Sequence, residues 1–152
     1  MLSIDTNVLF AALSSGAAQH ARAYAFLQSL TSQRDVVISE LVLLELYVLL
    51  RNATVNPQPL NASEASRVCD AFRQIRTGRS SGLPPEARPF HDKLWKALAQ
   101  ADMPRRRAFD IRLSLSLQDA GVHEFATVNL KDFVETGFKR VWNPLAEHQE
   151  SN

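Results

Sequence analysis

Short runs of β-branched and apolar residues occur at the two ends and near the first quarter of this chain, with long helical tracts between them. Leu2–Ile4, Val36–Ile38, Glu124–Val128 and Lys139–Trp142 read as strands by composition. The turn Asp5-Thr6-Asn7 leads into a helix through Leu13, which Ser14-Ser15-Gly16 breaks. A second helix runs from near Gln19 to about Leu30, with Ala23, Phe26, Leu27 and Leu30 at helical spacing. Ser39 is placed to cap a further helix from the N-terminal side. Strands separated by helices imply crossover connections, hence an open α/β sheet with mainly parallel strands and helices on both faces.

One segment decides whether that alternation holds. Ile111-Arg112-Leu113-Ser114-Leu115-Ser116-Leu117-Gln118 alternates apolar and polar residues, which is a strand's period. Phe109, Leu113 and Leu117 also lie four apart, and Gly121 can close a helix. A helix completes the βα alternation, whereas a strand would demand a hairpin, so a helix is expected. Elsewhere, Asn61 with Glu64 forms a capping-box pattern ahead of a face made by Ala65, Val68, Phe72 and Ile75. Thr77 to Pro85 reads as a surface loop, followed by a helix from about Pro89 to Ala101 with Phe90, Leu94 and Leu98 aligned. The pieces flanking that loop are too short for separate cores, so residues 1–145 are expected to form one domain and 146–152 a polar tail.

With 45% hydrophobic and 22% charged residues, the 152-residue chain has the composition of an ordinary globular domain. A net charge of +1 provides no global field for nucleic acid, so any such contact must rest on local clusters. The candidates are Arg105-Arg106-Arg107 and the looser Arg73, Arg76 and Arg79, although a solvated surface is the plain reading of an arginine run. The single cysteine, Cys69, excludes an internal disulfide and suits a reducing cytoplasm. No signal-peptide pattern opens the chain, and the apolar run Leu41–Leu50 is too short to span a bilayer, so no membrane association is expected.

The acidic residues carry the chemistry. Asp5 ends the first strand, Glu45 interrupts the apolar run Leu41–Leu50, Asp110 follows the three arginines, and Asn129 and Asp132 follow the third strand. In an open α/β sheet, ligands collect beyond the carboxyl ends of the strands, where these positions can converge. A Glu among apolar residues is costly to bury without a cation or hydrogen bonds, and one shared cation would account for the whole set. Oxygen ligands without Cys or clustered His favour Mg²⁺ or Mn²⁺ over zinc. Each acid also has a structural reading: Asp5 and Asp110 as helix-start residues, Asp132 as part of a short turn. His91-Asp92 reads as a local polar pair, and His20, His123 and His148 show no ligand spacing. No Gly-rich phosphate loop, GxSxG elbow or Cys–His pairing is present.

Four blocks in order resemble the PIN domain, and most of all its VapC-type branch of toxin ribonucleases from type II toxin–antitoxin pairs. They are Ile4-Asp5-Thr6-Asn7-Val8-Leu9, Ser39 with Glu45-Leu46 and Leu49-Leu50, Phe109-Asp110-Ile111-Arg112-Leu113, and Ala126-Thr127-Val128-Asn129-Leu130-Lys131-Asp132-Phe133. The likeness extends to Val141-Trp142-Asn143-Pro144. It implies an α/β/α sandwich around a central parallel sheet of four to five strands, and a metal-dependent endoribonuclease that hydrolyses RNA phosphodiester bonds by a metal-activated water. Asp5, Glu45 and Asp110 match the first three acidic positions. Asn129 stands where many members have a fourth Asp, which weakens the hold on a second metal, and Asp132 is the alternative ligand. Thr6, Asn7 and Thr127 would position water or phosphate, and Arg105, Arg106 and Arg107 would contact the RNA backbone. A cognate antitoxin and a homodimer are implied in the same way.

Two other readings compete. Phosphatases of the haloacid dehalogenase type need a second Asp two residues after the first, and here that place is Asn7. A catalytically silent PIN-like module for protein or RNA binding is the alternative, against which a buried Glu45 would argue.

Overall fold

The computed structural model describes residues 1–31, 35–74, 88–99, 104 and 106–146. Four strands form a parallel sheet: β1 (Leu2–Ile4), β2 (Val36–Val37), β3 (Glu124–Ala126) and β4 (Arg140–Trp142). Their spatial order is β2-β1-β3-β4. Strand β1 is thus central, pairing Ile4 with Ala126 on one side and Ser3 with Val37 on the other. The helices are α1 (Thr6–Leu13), α2 (His20–Ser29), α3 (Glu40–Arg51), α4 (Ala62–Gln74), α5 (Arg88–Leu98), α6 (Arg107–Asp119) and the single turn α7 (Leu130–Phe133). The four-stranded parallel sheet and the helical 107–119 segment agree with the expectation from the alternating pattern.

Local signals set most of the helix ends. Ser39 Oγ accepts from the Leu41 amide at 3.2 Å, which satisfies one of the free N–H groups at the start of α3. Asn61 and Glu64 form a reciprocal capping box, with bonds of 2.9 and 3.0 Å. Helix α6 ends in a Schellman turn: Val122 N–H donates to the Leu117 carbonyl and Gly121 N–H to that of Gln118. Gly121 takes φ +81° there, a conformation that favours glycine.

The main core lies where α1, α3 and α6 cover the sheet; Ile4, Val8, Leu9, Leu46, Leu117 and Phe125 are almost wholly buried. Phe125 stacks on Phe138 at 5.1 Å and meets Phe133 at 4.7 Å, which fixes the chain after β3 against the sheet. A smaller cluster of Phe90, Leu94 and Ile111 joins α5 to α6. Ile75 and the Thr77–Pro85 loop, with Arg76 and Arg79, lie outside the described residues, as do Arg105 and nearly all of the expected tail. Arg73 is an exposed partner of Glu40 and Asp70. None of the described helices is long and apolar enough to cross a membrane.

Helix α3 corrects one sequence reading. It buries Val42, Leu43, Leu46 and Leu50, but Leu44 and Val48 are 63% and 55% exposed, and Glu45 is exposed as well. The run is apolar all round, yet only one face of a 3.6-residue period meets the core. Glu45 is therefore not a buried charge.

Replacing Gly121 with Ala places a Cβ at positive φ and 3.0 Å from Met1 Cε. We expect a loss of roughly 1–2 kcal/mol, seen as a lower urea midpoint with an unchanged slope.

Candidate active site

The carboxyl end of β1 delivers Asp5 into a buried corner between α1 and the chain leaving β3. Asp5 is the N-cap of α1, with Oδ1 accepting the Thr6 amide at 2.8 Å. The capping role foreseen as its plain alternative is real, and it occupies only one of the two oxygens. Oδ2 accepts from Thr127 Oγ1 at 2.5 Å and from Asn7 Nδ2 at 2.8 Å. Thr127 belongs to the residues following β3, so this oxygen ties together two neighbouring parallel strands.

Asn7 reinforces that tie. Its Nδ2 also reaches Thr127 Oγ1 at 3.2 Å, and its Oδ1 accepts from the Val128 amide at 3.2 Å. Thr127 Oγ1 in turn accepts from the Asn129 amide at 2.9 Å. Thr6 links in the other direction: its hydroxyl donates to Glu45 Oε2 at 2.8 Å, carrying α3 to the same corner. The residues expected to position water or phosphate thus also hold the acids in place.

Asp110 lies in the first turn of α6, half-buried, and within the electrostatic reach of Asp5, Glu45 and Asp132. Asn129 opens α7, and its side-chain Nδ2 donates to Asp132 Oδ2. The structure therefore brings Asp5, Glu45, Asp110, Asn129 and Asp132 to one sheet edge. Asp132 raises the Asp110 pKa more than Glu45 does. The pairing of Asp132 with Asn129 across one helical turn was not foreseen; its sequence signal is the i,i+3 spacing.

Burial, followed by the charges of Glu45 and Asp110, pushes Asp5 up to about 6, against the lowering effect of its Thr127 and Thr6 hydrogen bonds. Burial also raises Asp110, with Asp132 and Glu45 adding to it and Arg107 opposing. Among the described residues, no ion pair reaches Asp5, Glu45, Asp110 or Asp132. Arg107 is turned aside: a terminal nitrogen donates to the Asp132 carbonyl at 3.5 Å, and its Nε is buried without a partner among the described residues. Arg106 is exposed at the α6 N-cap.

An all-oxygen set of negative groups with too little positive charge fits a hard divalent cation such as Mg²⁺. The side chains as they stand do not form a finished coordination shell. Among the described residues, no three acidic, His or Cys groups are arranged to hold one ion. Asp5 and Glu45 point at hydroxyl and amide donors, and Asp132 at an amide, so an ion would have to compete with those contacts. A cavity of about 360 Å³ sits at the far end of α1, lined by Phe10, Leu13, Leu50, Asn56, Leu60 and Val68, with none of the acids. His91 packs edge-on against Phe90 at 5.6 Å and Asp92 lies 3.9 Å from Arg88, consistent with a local structural role.

The pKa shifts set a stability profile for the metal-free protein. Asp5 binds its proton more tightly folded (about 6) than unfolded (3.8), so its contribution is complete below 3.8 and is lost as pH rises through about 6. Asp110 acts in the same direction. In EDTA, wild type should lose on the order of 3 kcal/mol relative to Asp5→Asn between the two ends of that window. Urea unfolding from pH 4 to 7.5 checks this; parallel profiles would contradict it.

Comparison with known proteins agrees with the geometry. The PIN domain family model matches residues 2–91. Ribonuclease VapC24 from Mycobacterium tuberculosis, in strains CDC 1551 / Oshkosh and ATCC 25618 / H37Rv, is 46% identical over 145 residues, covering 95% of this chain and 97% of the relative. A chain from the structure of FitAB bound to the IR36 DNA fragment superposes with a TM-score of 0.64 at 19% identity, over 99% of this chain and 100% of that one. At that identity the likeness concerns the fold alone. The chain belongs to the PIN domain family, in its VapC-type branch.

Proposed function

We propose that this protein is a Mg²⁺- or Mn²⁺-dependent endoribonuclease, the toxin of a toxin–antitoxin pair, acting in the cytoplasm under the restraint of a cognate antitoxin. The observation that carries the reading is the buried Asp5 carboxylate. It is raised to about 6 among acidic neighbours at the carboxyl edge of a parallel sheet, in a chain 46% identical to a ribonuclease. A binding module has little use for such a group, which costs stability at neutral pH. The same argument made on Glu45 fails, because Glu45 is exposed.

Asp5 and Asp110 are the principal ligands, with Glu45 and Asn129 completing the site and Asp132 adding charge beside Asn129. When bound, the ion activates water and neutralises charge on the scissile phosphate. The chain's own groups supply order. Thr127 and Asn7 fix Asp5 Oδ2, and Thr6 steers Glu45. Asp132 engages the Asn129 amide nitrogen, so the Asn129 carbonyl oxygen is its one donor suited to a cation. Arg106, exposed at the α6 N-cap, meets the RNA backbone without selecting sequence, and Arg107 beside it, held at the Asp132 carbonyl, adds its charge from behind. A homodimer is part of the same reading.

Purified protein incubated with a labelled RNA panel in Mg²⁺, Mn²⁺ or EDTA tests the assignment. Cutting should require metal and leave 5′-phosphate and 3′-hydroxyl ends. Asp5→Asn or Asp110→Asn should reduce it on the order of a hundredfold or more, and Thr127→Val by roughly 10- to 100-fold, as for loss of a ligand's supporting hydrogen bond. Undiminished cutting by both Asp variants would overturn the reading.

A further inference from the structure

Phe109 is 79% exposed, the highest exposure among the large hydrophobic residues described. It is no isolated surface residue. Phe109, Leu113 and Leu117 follow one another at four-residue spacing along one stripe of α6. Exposure climbs along that stripe from 1% at Leu117, through 8% at Leu113, to 79% at Phe109. The stripe leaves the core at the N-terminal end of the helix, and its last member is the residue before Asp110. An aromatic ring therefore stands uncovered at the edge of the acidic corner.

Exposed groups on the elements that carry the acids indicate what covers it. Arg106 lies one turn earlier on the same side of the helix and is exposed, as is Lys131 at the start of α7, beside Asn129 and Asp132. Val128 and Leu130, which flank Asn129, are 38% and 37% exposed. With the divalent cation of the proposed function held by the acids, cations and apolar surface around them match a polyanion whose phosphate meets that ion while its flanking groups rest outside. In RNA those flanking groups are nucleobases, each with a π-face. A phenyl ring has no donor or acceptor to read a base edge, so stacking on it tolerates any base.

We propose that Phe109 is the stacking platform for a nucleobase next to the scissile phosphate, positioning the strand over the acids without choosing sequence. The inference rests on the ribonuclease reading and adds a substrate contact to it. A ring offered to a base requires one face of that base to be unstacked, so the nucleotide beside the cut is predicted to lie in a loop or single strand.

The test uses an RNA that wild type cuts, and the same RNA with an abasic residue on either side of the cut. Phe109→Ala and Phe109→Leu should both lower kcat/KM by roughly 5- to 150-fold, while Phe109→Trp keeps it. Mn²⁺ binding and thermal midpoint should stay at wild-type values. Removing the base on one side should cost wild type a similar factor and cost Phe109→Ala nothing further. Wild-type cutting by Phe109→Ala, while Asp5→Asn is inactive, would overturn the platform and leave the nuclease standing. So would full activity of Phe109→Leu, or equal losses on intact and abasic RNA. Normal cutting with lost self-association in sedimentation would assign the ring to a protein interface instead. Absence of cutting by wild type on the whole panel would overturn the ribonuclease reading and the platform with it.

Discussion

The hydrogen bond from Thr127 Oγ1 to Asp5 Oδ2 joins the ends of the two strands around which the acidic corner gathers. Asp5 ends the central strand and Thr127 follows its neighbour, so one buried oxygen fixes the edge where both chains leave the sheet. Asn7 repeats the connection through three contacts to Asp5, Thr127 and Val128. A carboxylate accepting several bonds from neutral donors is well ordered but still poorly compensated, because burial raises the cost of its charge faster than these donors reduce it. Burial exacts a cost of the same kind at the half-buried Asp110, whereas Glu45 is exposed.

The rest of the corner follows from how the surrounding helices meet that point. Helix α3 turns one face to the core and leaves Glu45 at the rim, held by the Thr6 hydroxyl. Helix α6 buries Leu113 and Leu117 in the core, which sets the rotation that brings Asp110 towards the other acids, while its N-terminal turn runs past the core and leaves Phe109 uncovered. The short helix α7 is anchored by Phe133 against Phe125, so the Asn129–Asp132 pair sits on a packed element. Charge, order and access at this edge are consequences of core packing a turn or two away.

Sequence reasoning reached those parts of the molecule governed by short-range rules. The Ser39 cap, the Asn61–Glu64 box and the Gly121 turn each depend on residues two to five apart, and each is present. Helix was the right choice for 111–118 because chain connectivity outweighed a misleading two-residue alternation. The burial of Glu45 was misjudged because an all-apolar run hides which face of the helix meets protein. The Thr6–Glu45 bond joins residues 39 apart, and no local pattern announces it. The four-residue spacing of Phe109, Leu113 and Leu117 marked the helix correctly, but where that stripe leaves the core depends on tertiary packing.

The central claim is that the acidic corner built on Asp5 is short of positive charge and takes up a divalent cation. Calorimetric titration of metal-free protein with Mn²⁺ at pH 7.5, beside Asp5→Asn, addresses it most directly. Saturable binding by wild type that weakens by roughly 10- to 100-fold or disappears in the variant is the predicted result. Binding of equal strength in both proteins, or none in wild type, would contradict it.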